Sequence, residues 1–378
     1  MIFLTILIFL NKLVFSFDST FSVLQNNLST ERKKRAILIK ENYLWKEKEI
    51  LYYVDSKLNE DIVNYALLKI SKETCLKFKQ TKNPRKALFS YQPGPFYETN
   101  LGKRREIPHR IFVPKGKEEI GKTIRETLRA LGVDYEHNRY DRDKYIIIHR
   151  NSIKQRFLKY FIVKNSTSTF NIGYDYRSVM HFSEDEYGIF GRRVITAKNK
   201  LMQNLMGKTQ DLTFYDAKLV NKRYCKFPSQ IHPPCHNYGY SHPKSPICKC
   251  PSFADGIDCT GVIANNHFCT AGNHFYAGLV TSTTDLKVGG NCTFYIHTDY
   301  GEKIRLKLLF HNNRRRHRTC KDFRSVEVRY KSDLAASGIL FCPDNTPILI
   351  KSEAHLVIIQ SHFPPEQTKL RIIYKQVS

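Results

Sequence analysis

Residues 123–143 read Thr123-Ile124-Arg125-Glu126-Thr127-Leu128-Arg129-Ala130-Leu131-Gly132-Val133-Asp134-Tyr135-Glu136-His137-Asn138-Arg139-Tyr140-Asp141-Arg142-Asp143. The first half closes a helical pattern that begins at Lys117. Ile120, Ile124, Leu128 and Leu131 recur at i, i+4, i+8 and i+11, one apolar stripe at the period of an α-helix. On spacing alone, Arg125 and Arg129 each lie about 100° around the helix from a stripe residue. That predicts a solvated basic face, with Glu126 paired to a neighbouring cation. The second half packs acids and bases together from Glu136 to Asp143.

Upstream of this stretch, Ile50–Val54 is rich in aromatic and branched residues and predicts a strand. Asn59-Glu60-Asp61 marks a helix start, and Val63, Ala66, Leu67 and Ile70 continue it as a stripe. Leu88–Tyr91 and Arg110–Val113 predict two more strands. Strand, helix, strand, strand, helix implies an α/β half-domain inside a large region spanning 36–226. Downstream, residues 230–262 are rich in Pro and Gly and hold Cys235, Cys248, Cys250 and Cys259. So short a region cannot build its own core, so its cysteines are expected to hold it together. Residues 265–376 alternate apolar and polar side chains, as in Arg305–Leu309, Ser325–Val328 and Leu370–Ile373, which predicts a β-sandwich.

The chain has 378 residues, 41% hydrophobic and 25% charged, an ordinary globular composition for roughly two or three domains. No internal stretch approaches the ~20 apolar residues of a membrane span. This composition argues against integral membrane proteins, collagens, coiled coils and acidic solvating chains. Sixty-one basic residues against 35 acidic ones give a formal charge of +26.

The first residues address the compartment. Ile2–Leu10 is a short apolar run followed by Ser16, which predicts a secretory signal peptide at 1–16 with Val14 and Ser16 flanking the cut. Arg32-Lys33-Lys34-Arg35 predicts cleavage by a furin-like convertase, which makes 17–35 a short propeptide. Removal of residues 1–35 would leave 343 residues and a charge of +23. In a secreted chain the ten cysteines read as five disulfides. Asn165 and Asn291 then head N-x-S/T glycosylation sites, and Asn27 heads a third in the removed segment.

The central stretch resembles the astacin branch of the metzincin zinc peptidases. Gly132 and the tail Glu136-His137-x-Arg139-x-Asp141-Arg142-Asp143 match its pattern, and Tyr174–Phe182 resembles its Met-turn around Met180. A start at Ala36, the lone Trp45 and the Cys75/Cys225 pair agree. The resemblance implies a multidomain chain: an α+β metzincin/astacin-like domain at 36–226, an EGF-like module at 230–262 and a CUB-like β-sandwich at 265–376. This arrangement is common among nematode astacins. It also implies the pairs Cys75–Cys225, Cys235–Cys248, Cys250–Cys259, Cys269–Cys292 and Cys320–Cys342, and a freed Ala36 amine docking against Glu136.

The departures fall on the chemistry. By the resemblance, Arg125, Arg129 and Tyr135 stand where the family has its three zinc-binding histidines, and Phe182 replaces a metal-coordinating tyrosine. Glu126 alone survives, at the general-base position. A guanidinium stays protonated and offers only donors. Tyr135 could ligate only as a phenolate. Without zinc no bound water is acidified, so Glu126 is a vestigial base. No cofactor is therefore expected, although the family uses zinc. The leading expectation is a secreted, inactive homologue that binds or decoys extracellular proteins or peptides. The alternatives are a working zinc metalloendopeptidase with an aberrant site and a CUB-driven matrix adaptor. The basic cluster Arg314-Arg315-Arg316-His317-Arg318, with Lys103-Arg104-Arg105, suggests sulfated glycosaminoglycans. An arginine-lined cleft would suit acidic peptides. The extracellular compartment argues against nucleic acid.

Overall fold

In the computed structural model, residues 36–378 are described, apart from 48, 164–166, 226–233, 243, 311–319, 321, 344, 345, 366 and 367. The expected signal peptide and propeptide, the basic site ending at Arg35, Asn165 and the cluster Arg314, Arg315, Arg316 and Arg318 lie outside the described residues.

Chain order begins with the two-residue strand β1 (Ile37–Leu38) and the longer β2 (Glu49–Val54). In β2 the alternation turns Ile50, Tyr52 and Val54 inward. Helix α1 (Glu60–Glu73) starts where Asn59 Oδ1 accepts the Asp61 amide at 3.0 Å, and it buries Val63, Ala66, Leu67 and Ile70. Then follow β3 (Lys77–Gln80), β4 (Phe89–Gly94), β5 (Glu98–Thr99) and β6 (His109–Pro114). They form a five-stranded sheet in the order β3-β2-β4-β6-β5, parallel except for the edge strand β5.

Helix α2 (Ile120–Ala130) packs against α1 and against β6. It begins three residues later than the apolar stripe predicts. The Lys117 amide is spent on the Pro114 carbonyl in the turn leaving β6, and the Gly121 amide is taken by Gln210 Oε1 at 2.9 Å. The helix ends at Gly132, whose φ of +91° returns its amide to the Arg129 carbonyl. Beyond it the chain has only short pieces: β7 (Ile146–Ile148) pairs with β9 (Ile195–Ala197), and β8 (Thr167–Ser168) pairs with β1. Helix α3 (Phe214–Tyr224) starts with a Thr213/Asp216 capping box. Cys225 at its end is bonded to Cys75, just past α1. Closing a loop of 150 residues is worth about 5 kcal/mol in the chain-entropy account.

The small region holds two hairpins, β10 (Tyr240–Ser241) with β11 (Cys248–Lys249) and β12 (Ala254–Asp255) with β13 (Gly261–Val262). Cys235–Cys248 and Cys250–Cys259 staple it. Its cysteines are not its only support. Phe253 and Ala254 share a buried cluster with Tyr295, Leu334 and Ile358 of the sandwich, and the Tyr295 hydroxyl donates to the Phe253 carbonyl at 2.6 Å.

The last region is two facing sheets. One runs β14 (His274–Tyr276), β16 (Thr293–His297), β21 (Leu356–Ser361), β18 (Val326–Arg329), β19 (Ile339–Phe341). The other runs β15 (Ser282–Lys287), β22 (Lys369–Val377), β17 (Lys303–Phe310), β20 (Ile348–Lys351). Cys269–Cys292 and Cys320–Cys342 are bonded. The sandwich sits against the large region. Arg177 reaches Glu327 at 3.3 Å, and Ser337 donates to Asp175 at 2.8 Å. At Gly173 a Cβ would lie 1.9 Å from a carboxylate oxygen of Asp333, so a side chain there would push Asp333 aside. Although burial disfavours a charge at Glu327, the guanidiniums of Arg329 and Arg177 hold its carboxyl well below the usual range.

Candidate functional site on the buried helix

Arg125 and Arg129 are one turn apart on α2 and share a face. Neither is solvated. Arg125 is 2% exposed, Arg129 4% and Glu126 0%. The expected basic surface is overturned because α2 is buried almost all round, from Thr123 to Ala130. A stripe of apolar residues reports one buried face and is silent on cations whose partners come from elsewhere.

Those partners are carboxylates. The Arg125 guanidinium donates Nη1 and Nη2 to the two oxygens of Glu186 at 3.1 and 2.6 Å, a bidentate pair. Its Nε lies 3.5 Å from Glu126 Oε1, and its plane covers the Phe182 ring at 4.7 Å. Arg129 donates Nη1 to Asp134 at 2.5 Å and Nε to the Thr99 carbonyl at 3.3 Å. It stacks on the Tyr135 ring at 4.1 Å. The Tyr135 hydroxyl donates to both oxygens of Glu126, at 3.1 and 3.3 Å, and its ring meets Phe182 at 4.4 Å. Burial pushes the Glu126 carboxyl up, against the pull of Arg125 and Arg129. Burial also drives the Tyr135 hydroxyl well above its ordinary value, so it stays a phenol.

The segment that carries Glu186 also closes the site. Tyr187, at φ +65°, donates its hydroxyl to the Tyr97 carbonyl at 3.3 Å and stacks on Phe157 at 4.1 Å. One end of this strap is thus tied to α2 through Arg125, the other to the chain between β4 and β5. Cavities of about 290 Å³ beside β5 and about 620 Å³ on the sandwich are lined by none of Arg125, Glu126, Arg129, Tyr135 or Phe182. An arginine-lined cleft open to acidic peptides is therefore not what these residues form. Among the described residues, no group of three or more His, Cys, Asp or Glu is arranged to hold a metal ion.

Beneath the helix lies a second charged set. Glu136 accepts from Arg139 at 3.1 Å and from the Asp175 amide at 2.9 Å. Arg139 also grips Asp141 at 2.9 and 3.0 Å and the carbonyls of Gly173 and Ile172. Arg142 donates to the carbonyls of His137 and Phe161. The Met180 carbonyl accepts the Glu136 amide at 3.1 Å. His181 is locked between the Phe182 carbonyl and the Tyr174 hydroxyl at 2.7 and 2.8 Å. Ala36 is buried, and its carbonyl accepts the Asp134 amide at 2.9 Å, two residues before Glu136. Burial pushes Glu136 up to about 8.

Sequence reasoning missed Glu186, Tyr187 and Asp134. Asp134 was within reach, as the first acid after the helix that carries Arg129. Glu186 belongs to Glu184-Asp185-Glu186, a rare acidic run in a basic chain, but nothing local ties that run to Arg125, 61 positions away.

A family model described as Astacin, a peptidase family, matches residues 37–225. The chain is 26% identical over 322 residues to zinc metalloproteinase nas-34 of Caenorhabditis elegans, across 82% of this chain and 52% of that protein. It is 29% identical over 321 residues to zinc metalloproteinase nas-23 of the same organism, across 79% and 59%. It thus spans about half the length of the curated relatives it matches. Among solved structures it is similar to High choriolytic enzyme 1, a hatching enzyme zinc-protease of the medaka fish Oryzias latipes. That likeness has 22% identity and a TM-score of 0.43, over 50% of this chain and 98% of that one.

Proposed function

The chain belongs to the astacin family of peptidases, and from that premise we propose that it is a secreted, catalytically inactive member that binds or decoys extracellular proteins or peptides. The observation that carries this reading is the pairing of Arg125 with Glu186 and of Arg129 with Asp134, inside the protein, at the positions that resemble zinc ligands. The donor set does not fit zinc. Guanidiniums have no lone pair to give, the Tyr135 phenol keeps its proton, and Phe182 has no hydroxyl. Glu126 accepts from Tyr135 and has no activated water to serve.

Five disulfides support an oxidising, extracellular setting. We read the stapled hairpins as an EGF-like module and the two facing sheets as a CUB-like sandwich, each a domain for binding. Among the described residues, no helix is long and apolar enough to cross a membrane. On this reading, cleavage after Arg35 frees an amine at buried Ala36 that docks against Glu136, an acid that burial holds up to about 8. The new cation would restore the Glu136 charge and lock the mature fold. Exposed Arg104 and Arg105 offer sulfated glycosaminoglycans a first contact.

The deciding experiment measures zinc in the purified, processed protein made without chelators, beside a peptidase screen. We expect almost no zinc and no hydrolysis. About one zinc per chain, with hydrolysis abolished by Glu126→Ala, would overturn the reading in favour of a working endopeptidase.

A further inference from the structure

On the sandwich, a groove of about 620 Å³ lies open between Phe268, Phe323, Phe363 and Pro364, with Asn291 on its rim. That volume is typical of a small-ligand site. Phe363 is buried as the floor, whereas Phe268 and Phe323 are 41% and 62% exposed as walls. An aromatic groove open to water is costly to leave uncovered.

Asn291 supplies what would cover it. It heads Asn291-Cys292-Thr293, a sequence acceptable for N-linked glycosylation. Its side chain is exposed to solvent, as an attachment point must be. The disulfide Cys269–Cys292 follows Phe268 on one side and Asn291 on the other, with its Cα atoms 5.7 Å apart. The attachment point and an aromatic wall are therefore held at one mouth. Gly290 closes the gap: a Cβ there would lie 3.7 Å from Phe268 Cβ and 3.3 Å from Asn266 Nδ2, and its amide donates to the Pro364 carbonyl at 3.2 Å. Asn266 and Arg324 bring polar groups to the same groove.

We propose that this groove is the seat of the first two N-acetylglucosamine residues of a glycan on Asn291. The C–H faces of the sugar rings would lie on Phe268 and Phe323, and the N-acetyl and hydroxyl groups would meet Asn266 and Arg324. The glycan is then a structural part of the sandwich surface that covers apolar area as a side chain would. This inference rests on the secretion proposed above, because only a secreted chain receives the glycan.

The test uses the full chain expressed in animal cells. Peptide mass spectrometry of protein from the medium should find Asn291 occupied. Asn291→Gln should lower the thermal midpoint by about 2–4 °C, whereas trimming the wild type enzymatically to one sugar per site should lower it by less than half as much. Asn165→Gln should leave the midpoint unchanged. Phe323→Ser should cost a similar shift and add nothing further in combination with Asn291→Gln. Fully additive shifts, or a bare Asn291 in secreted protein, would overturn the groove proposal and leave secretion standing. A chain retained in the cell with its leader uncleaved would overturn both.

Discussion

The charges on α2 and the charges just after it are equally buried but are satisfied in different ways. In Glu136–Asp143, Arg139 finds Glu136 and Asp141 within three positions, and Arg142 takes the His137 and Phe161 carbonyls. On the helix, Arg125 depends on Glu186, 61 positions on in a strap that also closes the site. The first set is a local frame. The second is a long-range lock. The frame's hydrogen bonds involve neither Arg125 nor Arg129. A change at either of those positions should therefore leave the frame's hydrogen bonds in place, provided each cation on the helix keeps a carboxylate to meet it.

The largest expected effect breaks the lock. Arg125→Ala strands Glu186 and Glu126 in the interior and should cost about 3–5 kcal/mol in urea unfolding. Pairing Arg125→Met with Glu186→Gln should recover at least half of that, because both partners are then uncharged. Arg139→Ala should cost as much, yet no single partner change should rescue it, since it serves two acids and two carbonyls. A loss below about 1 kcal/mol at Arg125 would mean that the lock carries no load.

Acid should separate the regions next. Burial pushes His181 and His109 down to about 4. Their folded values lie below the unfolded value near 6.5, so the unfolded chain binds more protons between the two. Stability should be full above pH ~6.5 and fall as pH drops through ~4, by on the order of 3 kcal/mol for each histidine. Neither imidazole hydrogen-bonds to the lock, although Glu186 and Arg125 both act on His181 through space, and the guanidiniums keep their protons throughout. Urea midpoints at neutral and acid pH check this, and an unchanged midpoint refutes it.

Processing should act in the opposite pH direction. Glu136, raised to about 8, contributes stability that is full below its unfolded value and is lost as pH rises through 8. A free amine at Ala36 should reverse that loss. The processed chain should then exceed an Arg35→Ala precursor by about 1.5–3 kcal/mol near pH 7, where the freed amine is still charged, with little difference in acid. Equal stabilities would separate Ala36 from Glu136. The smallest effect concerns the strap: Tyr187→Phe removes one hydrogen bond to Tyr97, worth about 1 kcal/mol. Amide exchange at 183–188 should quicken, with Arg125 still paired.

Much of the frame is legible in residue order. The stripe of α1 and its Asn59 cap, the stripe of α2 and the alternation in β17 and β22 are periodic patterns that each segment carries alone. The identities of Arg125, Arg129, Tyr135 and Phe182 are equally plain, and from them the sequence by itself determines that no imidazole stands at those positions. Only the tertiary structure decides what the cations do there. It buries them, brings Glu186 and Asp134 to them, draws Tyr187 across to Tyr97, and lends the small stapled region the Tyr295 side of its core. The physical reason is range. Periodicity and ligand chemistry are properties of a residue and its near neighbours, whereas a buried charge is tolerated only by a partner that folding must carry in from elsewhere in the chain.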